Sequence, residues 1–291
     1  MRVLIAILML AVASAAHAAP LRIAMVTSLE SAGIAPVLIG AFEHDTGIET
    51  EVVYVGSGQA FVLARRGDVD VLLTHEADGE QALIRDGISR ARVPIMQNRF
   101  VMMGPAGDPA GIAGAETIYD AYCAIAQTRS PFISRGDLSG THRREQKLWA
   151  AIGVEPGGGW YRPVGSGMAA SLRVASEFRA YAMADWASAL KLGEALGLRL
   201  FSYPDPVLAN IYAVSLLSAD RFPGLNHADA QRFADWLSGP VWQKVILRFR
   251  IADKPVYRPA RSQNDGSDPA QPALSDDAPP LRKNAPCRVS P

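Results

Sequence analysis

Short apolar runs recur along the chain, and most are followed by a longer stretch whose apolar residues are spaced as on one face of a helix. We interpret the runs 21–26, 49–55, 69–73, 93–103, 131–133, 161–164, 180–184 and 207–217 as strands. Strands that alternate with helices of this length are typical of βαβ units with a mainly parallel sheet. The pattern therefore predicts an α/β fold.

The pattern breaks once, after the longest apolar run. Gly104-Pro105 and Asp108-Pro109 end that run, and the alternation of helix and strand starts again near residue 117. The chain has 291 residues, more than a single hydrophobic core usually holds. We therefore expect two lobes.

The first 18 residues are typical of a secretory signal peptide. Arg2 supplies the basic start, an apolar run extends to Ala16, and Ala16-His17-Ala18 fits a cleavage site. A membrane anchor is the alternative, but the run is shorter than the roughly 20 residues that span a bilayer. We expect an exported, periplasmic protein from which the leader 1–18 is removed.

The balance of charge argues against one class of partner. The chain carries 29 Lys and Arg residues and 29 Asp and Glu residues, and the leader contains only one of them, Arg2. The mature chain is therefore close to neutral, whereas a nucleic-acid-binding protein would show a basic excess. We expect no nucleic-acid partner.

The end of the chain differs in composition from the rest. Residues 262–291 are rich in Pro, Ser, Asp and Gln, which predicts a disordered tail that stability and ligand binding do not need. The two cysteines, Cys123 and Cys287, lie far apart, and the second falls in this tail. Export would permit a disulfide, but spacing cannot fix pairing, and we expect none between them.

Four predicted strand-to-helix corners carry small and hydroxyl-bearing residues. They are Thr27-Ser28, Gly56-Ser57-Gly58, Ser139-Gly140-Thr141 and Gly165-Ser166-Gly167. The start of a helix has unpaired N–H groups and carries the positive end of the helix dipole. Glycine lets a ligand approach the backbone, and serine and threonine hydroxyls can donate hydrogen bonds to it. Each corner alone is better explained by a helix N-cap. Four of them, at the edge where α/β proteins bind ligands, favour an anion site.

The third corner belongs to the segment SRGDLSGTH, residues 134–142, which adds an arginine to the hydroxyls. Arg135 could grip an oxyanion with two charged hydrogen bonds, and Asp137 would orient it, because a carboxylate repels a deprotonated anion. The alternative is a surface ion pair between the two residues. Ser139 and His142 lie close enough in sequence to suggest a serine hydrolase as another hypothesis. The sequence contains no G-x-S-x-G nucleophile elbow, which argues against it. Neither His75 nor His142 has the spacing of a metal ligand.

Five segments, in one order along the chain, resemble the tungstate-binding proteins of tungstate ABC importers. They read GIETEVVYVGSGQA, GDVDVLLTHEADGE, NRFVMMGPAGDPAGI, PFISRGDLSGTH and GSGMAASLRVASEFRAYAMAD, and the resemblance extends over residues 21–259. It implies a two-lobed, type II-like periplasmic-binding-protein fold with two crossover strands and an oxyanion held between the lobes. On this basis lobe I comprises 19–98 and 207–261, and lobe II comprises 99–206.

The chain departs from the family pattern at several positions. The family's TTTS loop reads MVTS at residues 25–28, and Leu138 replaces the second aspartate of SRGDDSGTH. Ser166 and Trp186 stand where the family has Gln and Arg, and NPYG reads NIYA at 210–213. These changes leave the expectation for the fold intact and leave the ligand open between tungstate and molybdate.

The corners and the resemblance together give a predicted ligand set: Thr27, Ser28, Ser57, Arg135, Ser139, Gly140, Thr141, Ser166 and Gly167. We expect a monomeric substrate-binding protein of an ABC transporter, without cofactor, metal site or catalysis. It would capture tungstate, or alternatively molybdate, and deliver it to permease subunits in the inner membrane. Two other hypotheses stay open. One is a degenerate binding protein that acts as a signalling partner of a sensor, and the other is a relative that binds phosphate or sulfate.

Overall fold

The computed structural model describes residues 19–260 and Cys287, and the statements below concern that part of the chain. The predicted signal peptide lies outside it, as does the predicted tail except for Cys287. The strands are β1 (Leu21–Val26), β2 (Thr50–Val55), β3 (Val71–Thr74), β4 (Ser89–Pro105), β5 (Phe132–Ser134), β6 (Tyr161–Pro163), β7 (Ala182–Asp185), β8 (Leu198–Phe201), β9 (Ala209–Leu217), β10 (Arg250–Ile251), β11 (Lys254–Pro255) and β12 (Arg258–Pro259). The α-helices are α1 (Thr27–Ala32), α2 (Ile34–Thr46), α3 (Ser57–Arg66), α4 (Ala77–Arg85), α5 (Ile118–Thr128), α6 (Gly140–Ala151), α7 (Met168–Glu177), α8 (Trp186–Leu192), α9 (His227–Ser238) and α10 (Pro240–Arg248).

The first part of the molecule, which we call lobe I, is built on a sheet of order β12-β4-β9-β3-β1-β2. β1 pairs in parallel with β2 and β3, whereas β9 pairs antiparallel with β3 and β4. Along β1, Ile23 and Met25 face a core shared with α2, α9 and α10, and Ala24 faces a core shared with α3 and α4. This alternation follows from the two-residue period of a strand and covers both faces of the sheet with helices.

The second part, lobe II, is built on β5 to β8 and α5 to α8. The strand β4 enters it directly: up to Arg99 its residues pair with β9, and residues 100–105 pair antiparallel with β7 and β8. β5 pairs in parallel with β6 and bridges to Tyr181 just before β7. The chain therefore leaves lobe I along β4 and returns along β9. The prediction of an α/β fold with two lobes and two crossover strands is confirmed, while the residue limits assigned to the lobes stay a prediction.

The structure corrects the predicted strand and helix pattern in three respects. The sheet is mixed rather than mainly parallel, because the crossover strands β4 and β9 run antiparallel to their neighbours. The helix predicted after β1 is two helices, since Gly33 adopts the left-handed conformation between α1 and α2, with φ 88°. Five elements were not predicted from the sequence, and they are α8, β8, β10, β11 and β12, with two to seven residues each.

The two cysteines form a disulfide bond, so the prediction that they stay unpaired was wrong. Cys123 lies on α5, and the backbone N–H of Cys287 donates to the carbonyl of Ile152 at the end of α6, over 3.2 Å. At Cys287 the chain is therefore held against lobe II. Sequence could not show this, because the fold brings together two positions that are 164 residues apart.

Within the described part of the chain, every helix falls short of the length and apolarity that a bilayer-spanning helix needs.

Candidate functional site

The four corners stand where strands end and helices begin, as the sequence predicts. Thr27 and Ser28 begin α1 after β1, Ser57 begins α3 after β2, and Gly140 begins α6 after β5. The fourth corner ends at Gly167, the residue before α7. Two corners thus belong to lobe I and two to lobe II, on the edges of the lobes that face each other.

The loop between β5 and α6 forms a compact set of internal hydrogen bonds. The guanidinium of Arg135, 4% exposed, donates from Nε and Nη2 to Oδ2 of Asp137, with Nε at 3.1 Å. The other carboxylate oxygen, Oδ1, accepts from the hydroxyl of Ser139 at 2.6 Å and from its N–H at 3.2 Å. Ser139 Oγ in turn accepts from the backbone of His142 and so caps α6. The arginine and the cap are therefore fixed by one carboxylate.

Asp137 has no acceptor capacity to spare for a proton on a ligand. Burial by itself would favour its neutral form, but the charge of Arg135 and the hydrogen bonds from Ser139 outweigh burial and lower the pKa of Asp137. The carboxylate is therefore ionised at neutral pH, with both oxygens occupied. The arrangement orients Arg135, which is the role that the sequence analysis assigns to Asp137, and the pair is buried rather than a surface ion pair.

Ser139 and His142 do not form a nucleophile–base pair. The hydroxyl of Ser139 donates to Asp137, while Nδ1 of His142 accepts from the backbone N–H of Leu138 at 3.0 Å. Leu138 has a positive φ of 57°, uncommon for a residue other than glycine, and its side chain is exposed. Its hydrogen bond to His142 holds the loop in this conformation. Among the described residues there is also no cluster of His, Cys, Asp and Glu that could hold a metal ion.

The corner at Ser57 meets the lobe II loop across the cleft. A Cβ added to Gly58 would lie 3.4 Å from the carbonyl oxygen of Leu138, and one added to Gly56 would lie 4.0 Å from Cβ of Ser139. The two lobes are thus in contact at this point. Glycine at Gly58 lets the backbone of α3 approach the loop that holds Arg135.

His75 connects lobe I to both crossover strands and to lobe II. Its Nδ1 lies 2.6 Å from Oδ1 of Asn210 on β9, and its ring stacks on Tyr212 with centroids 5.0 Å apart. The amide nitrogen of Asn210 donates to Asn98 on β4 and to the hydroxyl of Tyr212. A Cβ added to Gly140 of lobe II would lie only 2.8 Å from Cε1 of His75.

The imidazole of His75 is neutral in this environment. Burial, together with the guanidinium groups of Arg135 and Arg144, lowers the pKa of His75 to about 4, although the hydrogen bond to Asn210 opposes the shift. Since the Asn210 oxygen can only accept, Nδ1 of His75 carries the proton. His75, Asn98 and Asn210 therefore form a buried polar chain at the hinge.

Three predicted ligands have buried hydroxyls without a hydrogen-bond partner in the described part of the chain. They are Ser28, Ser57 and Thr141, at 4%, 0% and 1% exposure. Ser28 lies close to the phenol of Tyr212, and Thr141 follows Gly140 at the contact with His75. An unpaired buried hydroxyl costs free energy, so three of them on elements that meet indicate donors arranged for a ligand.

The remaining predicted ligands contribute less directly. Thr27 is half-buried at the start of α1. The N–H of Ser166 donates to the carbonyl of Arg135 at 3.1 Å, so that this amide is already used within lobe II. Gly167 is exposed, and its carbonyl accepts from Ser171. The fourth corner therefore supports the backbone of Arg135 through the amide of Ser166.

Several residues that the sequence analysis did not assign to the site lie in it. Asn98, Asn210 and His75 form the polar chain at the hinge, and Asp185 ends β7 beside it. Oδ1 of Asp185 caps α8 by accepting from the N–H of Ser188, and Oδ2 has no partner among the described residues. A signal was available: each is a polar residue within or directly after an apolar strand.

The cleft is also closed at its rim by contacts between the lobes. Lys147 on α6 pairs with Asp78 on α4, and Arg143 Nε lies 3.8 Å from Oε2 of Glu76. At the other end Lys191 on α8 donates to the carbonyl of Ser31 on α1. These contacts surround the corners that carry the unpaired hydroxyls.

Comparison with known proteins agrees with this architecture. The model of the PBP superfamily domain matches residues 13–240. The chain is 35% identical to the tungstate-binding protein TupA of Peptoclostridium acidaminophilum over 229 residues, which cover 78% of this chain and 80% of the relative.

Two solved structures are also similar. The tungstate ABC transporter protein of Geobacter sulfurreducens has a TM-score of 0.73 and 36% identity, covering 79% of this chain and 99% of that one. TupA of Desulfovibrio alaskensis G20 has a TM-score of 0.71 and 35% identity, covering 83% and 99%. From fold, site and sequence together, the chain belongs to the PBP superfamily, among the relatives of the tungstate-binding proteins of ABC transporters.

Proposed function

We propose that this protein is the periplasmic substrate-binding protein of an ABC transporter and that it captures tungstate, or alternatively molybdate, between its lobes. The single observation that carries the proposal is the set of buried, unpaired hydroxyls of Ser28, Ser57 and Thr141, which accompany a buried arginine at the junction of the lobes. Relatives that are 35% and 29% identical to this chain bear the name tungstate-binding protein, as does a solved structure of similar fold.

The proposed ligands are the nine residues predicted from the sequence, in four roles. Arg135 supplies the positive charge, and its orientation comes from Asp137. The hydroxyls of Thr27, Ser28, Ser57, Thr141 and Ser166 donate neutral hydrogen bonds. Gly140 and Gly167 stand at helix starts, where the first amides have no partner within the helix. Ser139 holds the cap and the carboxylate in place.

The chemistry of these groups favours an anion without a proton. Tungstate, molybdate and sulfate are dianions that need donors only, whereas hydrogen phosphate carries a proton and needs an acceptor. Asp137 is the carboxylate in the loop that could accept it, but Arg135 and Ser139 occupy both of its oxygens. A site in which the proton of the ligand finds no acceptor rejects that ligand. The loop that holds Arg135 therefore offers no acceptor for the proton of hydrogen phosphate, which disfavours phosphate there.

Delivery to a permease in the inner membrane completes the proposal. The predicted leader 1–18 would export the protein, and release of the ligand would follow when the lobes part by a hinge motion along β4 and β9. We propose a monomer, with lobe I formed by 19–98 and 207–261 and lobe II by 99–206.

Isothermal titration calorimetry of the exported chain tests the ligand. We expect submicromolar binding of tungstate, comparable or weaker binding of molybdate, and much weaker binding of sulfate and phosphate. Tighter binding of phosphate would overturn the assignment of the ligand. If the protein bound none of the four anions, a degenerate binding protein that acts in signalling would be favoured instead.

A further inference from the structure

Asp185 is a buried carboxyl group at the junction of the lobes for which the site described so far has no use. It ends β7 opposite Phe100, the residue at which β4 passes from lobe I to lobe II. Its side chain is 0% exposed. One oxygen, Oδ1, accepts from the N–H of Ser188 at 3.1 Å and caps α8. The other oxygen, Oδ2, is inaccessible and has no hydrogen-bond partner in the described part of the chain.

The surroundings of Asp185 place it against the proposed ligand groups. Three charged or titratable groups interact electrostatically with Asp185. They are Arg135 from the lobe II loop, Tyr212 on β9, and Tyr257 just before β12. Tyr212 in turn lies close to Ser28. Asp185 therefore shares a neighbourhood with the arginine and with one of the unpaired hydroxyls.

An ionised carboxylate in that position would work against anion capture. It would repel a dianion and compete for the charge of Arg135, and its Oδ2 would be a buried charge without a hydrogen bond. Burial raises the pKa of Asp185, and the hydrogen bonds from Ser188 and the charge of Arg135 oppose this without reversing it. A bound dianion would act in the same direction as burial, since it also favours the neutral form.

We propose that Asp185 binds the oxyanion as a carboxylic acid, so that Oδ2 carries a proton and donates it in a hydrogen bond while Oδ1 continues to cap α8. This inference rests on the proposed function of the site and adds one donor to it. The site would then capture a dianion together with one proton. Capture of the anion and protonation of Asp185 would be linked thermodynamically, each favouring the other.

The sign of the pH dependence follows from this linkage. The pKa of Asp185 is higher in the complex than in the free protein, so binding is fully supported below the pKa of the free protein. Above it, the affinity for tungstate falls by about tenfold per pH unit, because a proton must be taken up for each anion bound. The loss continues until the pKa of the complex is reached.

Calorimetric titration with sodium tungstate between about pH 6 and pH 9 tests the linkage, with three matched variants. In Asp185→Asn an amide replaces the proposed acid, with a carbonyl that can cap α8 and an N–H that can donate. We expect this variant to bind tungstate with an affinity that does not change across the range. Asp137→Asn serves as the contrast, since that carboxylate is ionised, and it should bind about tenfold more weakly at every pH. Glu145→Gln controls for the other strongly shifted buried carboxyl, whose pKa burial raises to about 7, and should keep the slope of the wild type.

Proton uptake by the wild type gives a second measurement that needs no variant. Titrations in two buffers of different ionisation enthalpy, at each pH at which the affinity falls, should show proton uptake that approaches one proton per tungstate bound. No uptake, or the same pH profile in the wild type and in Asp185→Asn, would overturn the proposal for Asp185 while leaving the binding function in place. A wild type that binds no tungstate at any pH would instead overturn the proposed function.

Discussion

The two halves of the candidate site are built differently. In lobe II the polar groups of the loop 134–142 are bonded to one another: Arg135 and Ser139 to Asp137, and Leu138 to His142. In lobe I the hydroxyls of Ser28 and Ser57 are equally buried but have no partner in the described part of the chain. The lobe II half is therefore set before a ligand arrives, whereas the lobe I half gains its hydrogen bonds only when a ligand is enclosed. Ser134 and Thr141 are exceptions, since their hydroxyls are buried in lobe II and have no hydrogen-bond partner in the described part of the chain.

The disulfide should have the largest effect, on the stability of the lobe II half. Cys123→Ser removes the bond to Cys287, and a chain ending at residue 260 removes it as well. Each should lower the free energy of unfolding by about 2–4 kcal/mol, seen as a fall of several degrees in Tm by differential scanning calorimetry. Reducing agent should lower the Tm of the wild type and leave that of Cys123→Ser unchanged. An unchanged Tm in the shortened chain would show that the tail is dispensable for stability, as its composition predicts.

Arg135→Ala removes the charge of the preset half and should act on both binding and stability. Charged hydrogen bonds contribute about 1.5–3 kcal/mol, so the affinity for tungstate should fall roughly tenfold to a hundredfold. Because Arg135 is buried and paired, its loss also leaves Asp137 without its cation, and the melting temperature should fall too. Arg135→Lys should recover only part of the affinity, since lysine lacks the planar guanidinium. An affinity equal to that of the wild type, with a lower Tm, would make the arginine purely structural.

Gly140→Ala should weaken binding without unfolding either lobe. Gly140 is not in the left-handed region, so alanine fits the backbone of α6, but its Cβ would lie 2.8 Å from Cε1 and 3.1 Å from the carbonyl oxygen of His75 in lobe I. Closure should be obstructed, and the affinity should fall by about tenfold or more. Gly40→Ala, on α2 outside the proposed ligand set, is the matched control, because nothing lies within 4 Å of a Cβ there. Equal binding by both variants would show that the lobes close without this contact.

Single hydroxyl substitutions should have the smallest effects and separate the two halves most clearly. Ser28→Ala, Ser57→Ala and Thr141→Val should each weaken tungstate binding by about 0.5–1.5 kcal/mol and leave the Tm of the free protein equal or slightly higher, since these hydroxyls have no partner to lose. Ser139→Ala should instead lower the Tm, because it removes the cap of α6, worth about 1 kcal/mol. If Ser57→Ala lowered the Tm as much as Ser139→Ala, the hydroxyl of Ser57 would have a partner in the free protein. The proposed difference between the two halves of the site would then be wrong.

The sequence predicts those parts of the site that are local in the chain. The corner at Ser57, the cap at Ser139 and the pairing of Arg135 with Asp137 each depend on residues a few positions apart. The overall fold could be predicted because strand periodicity and the resemblance act over whole segments. Both signals remain clear although Leu138 and Trp186 depart from the family pattern.

The parts that the sequence missed depend on register between distant segments. Asn98 and Asn210 meet because they are opposite each other where β4 and β9 pair, 112 positions apart in the chain. His75 joins them only because β3 ends beside β9, where Thr74 faces Ala213. Cys287 and Asp185 are comparable cases. A polar residue after an apolar run indicates a site, but only the pairing of strands shows which of them converge.

The length of β4 has a consequence for how the molecule unfolds. This single strand of 17 residues supplies hydrogen bonds to the sheets of both lobes, and each sheet packs against its own cores. If either lobe melted, half of β4 would become an unpaired edge next to a core that is still intact, which exposes backbone groups and apolar surface at once. The lobes are therefore coupled in their folding, although among the described residues only α8 of lobe II, through Ala187, packs into the core of lobe I around Ile23. The amides near the middle of β4, around Phe100, should exchange with solvent only when the whole protein unfolds.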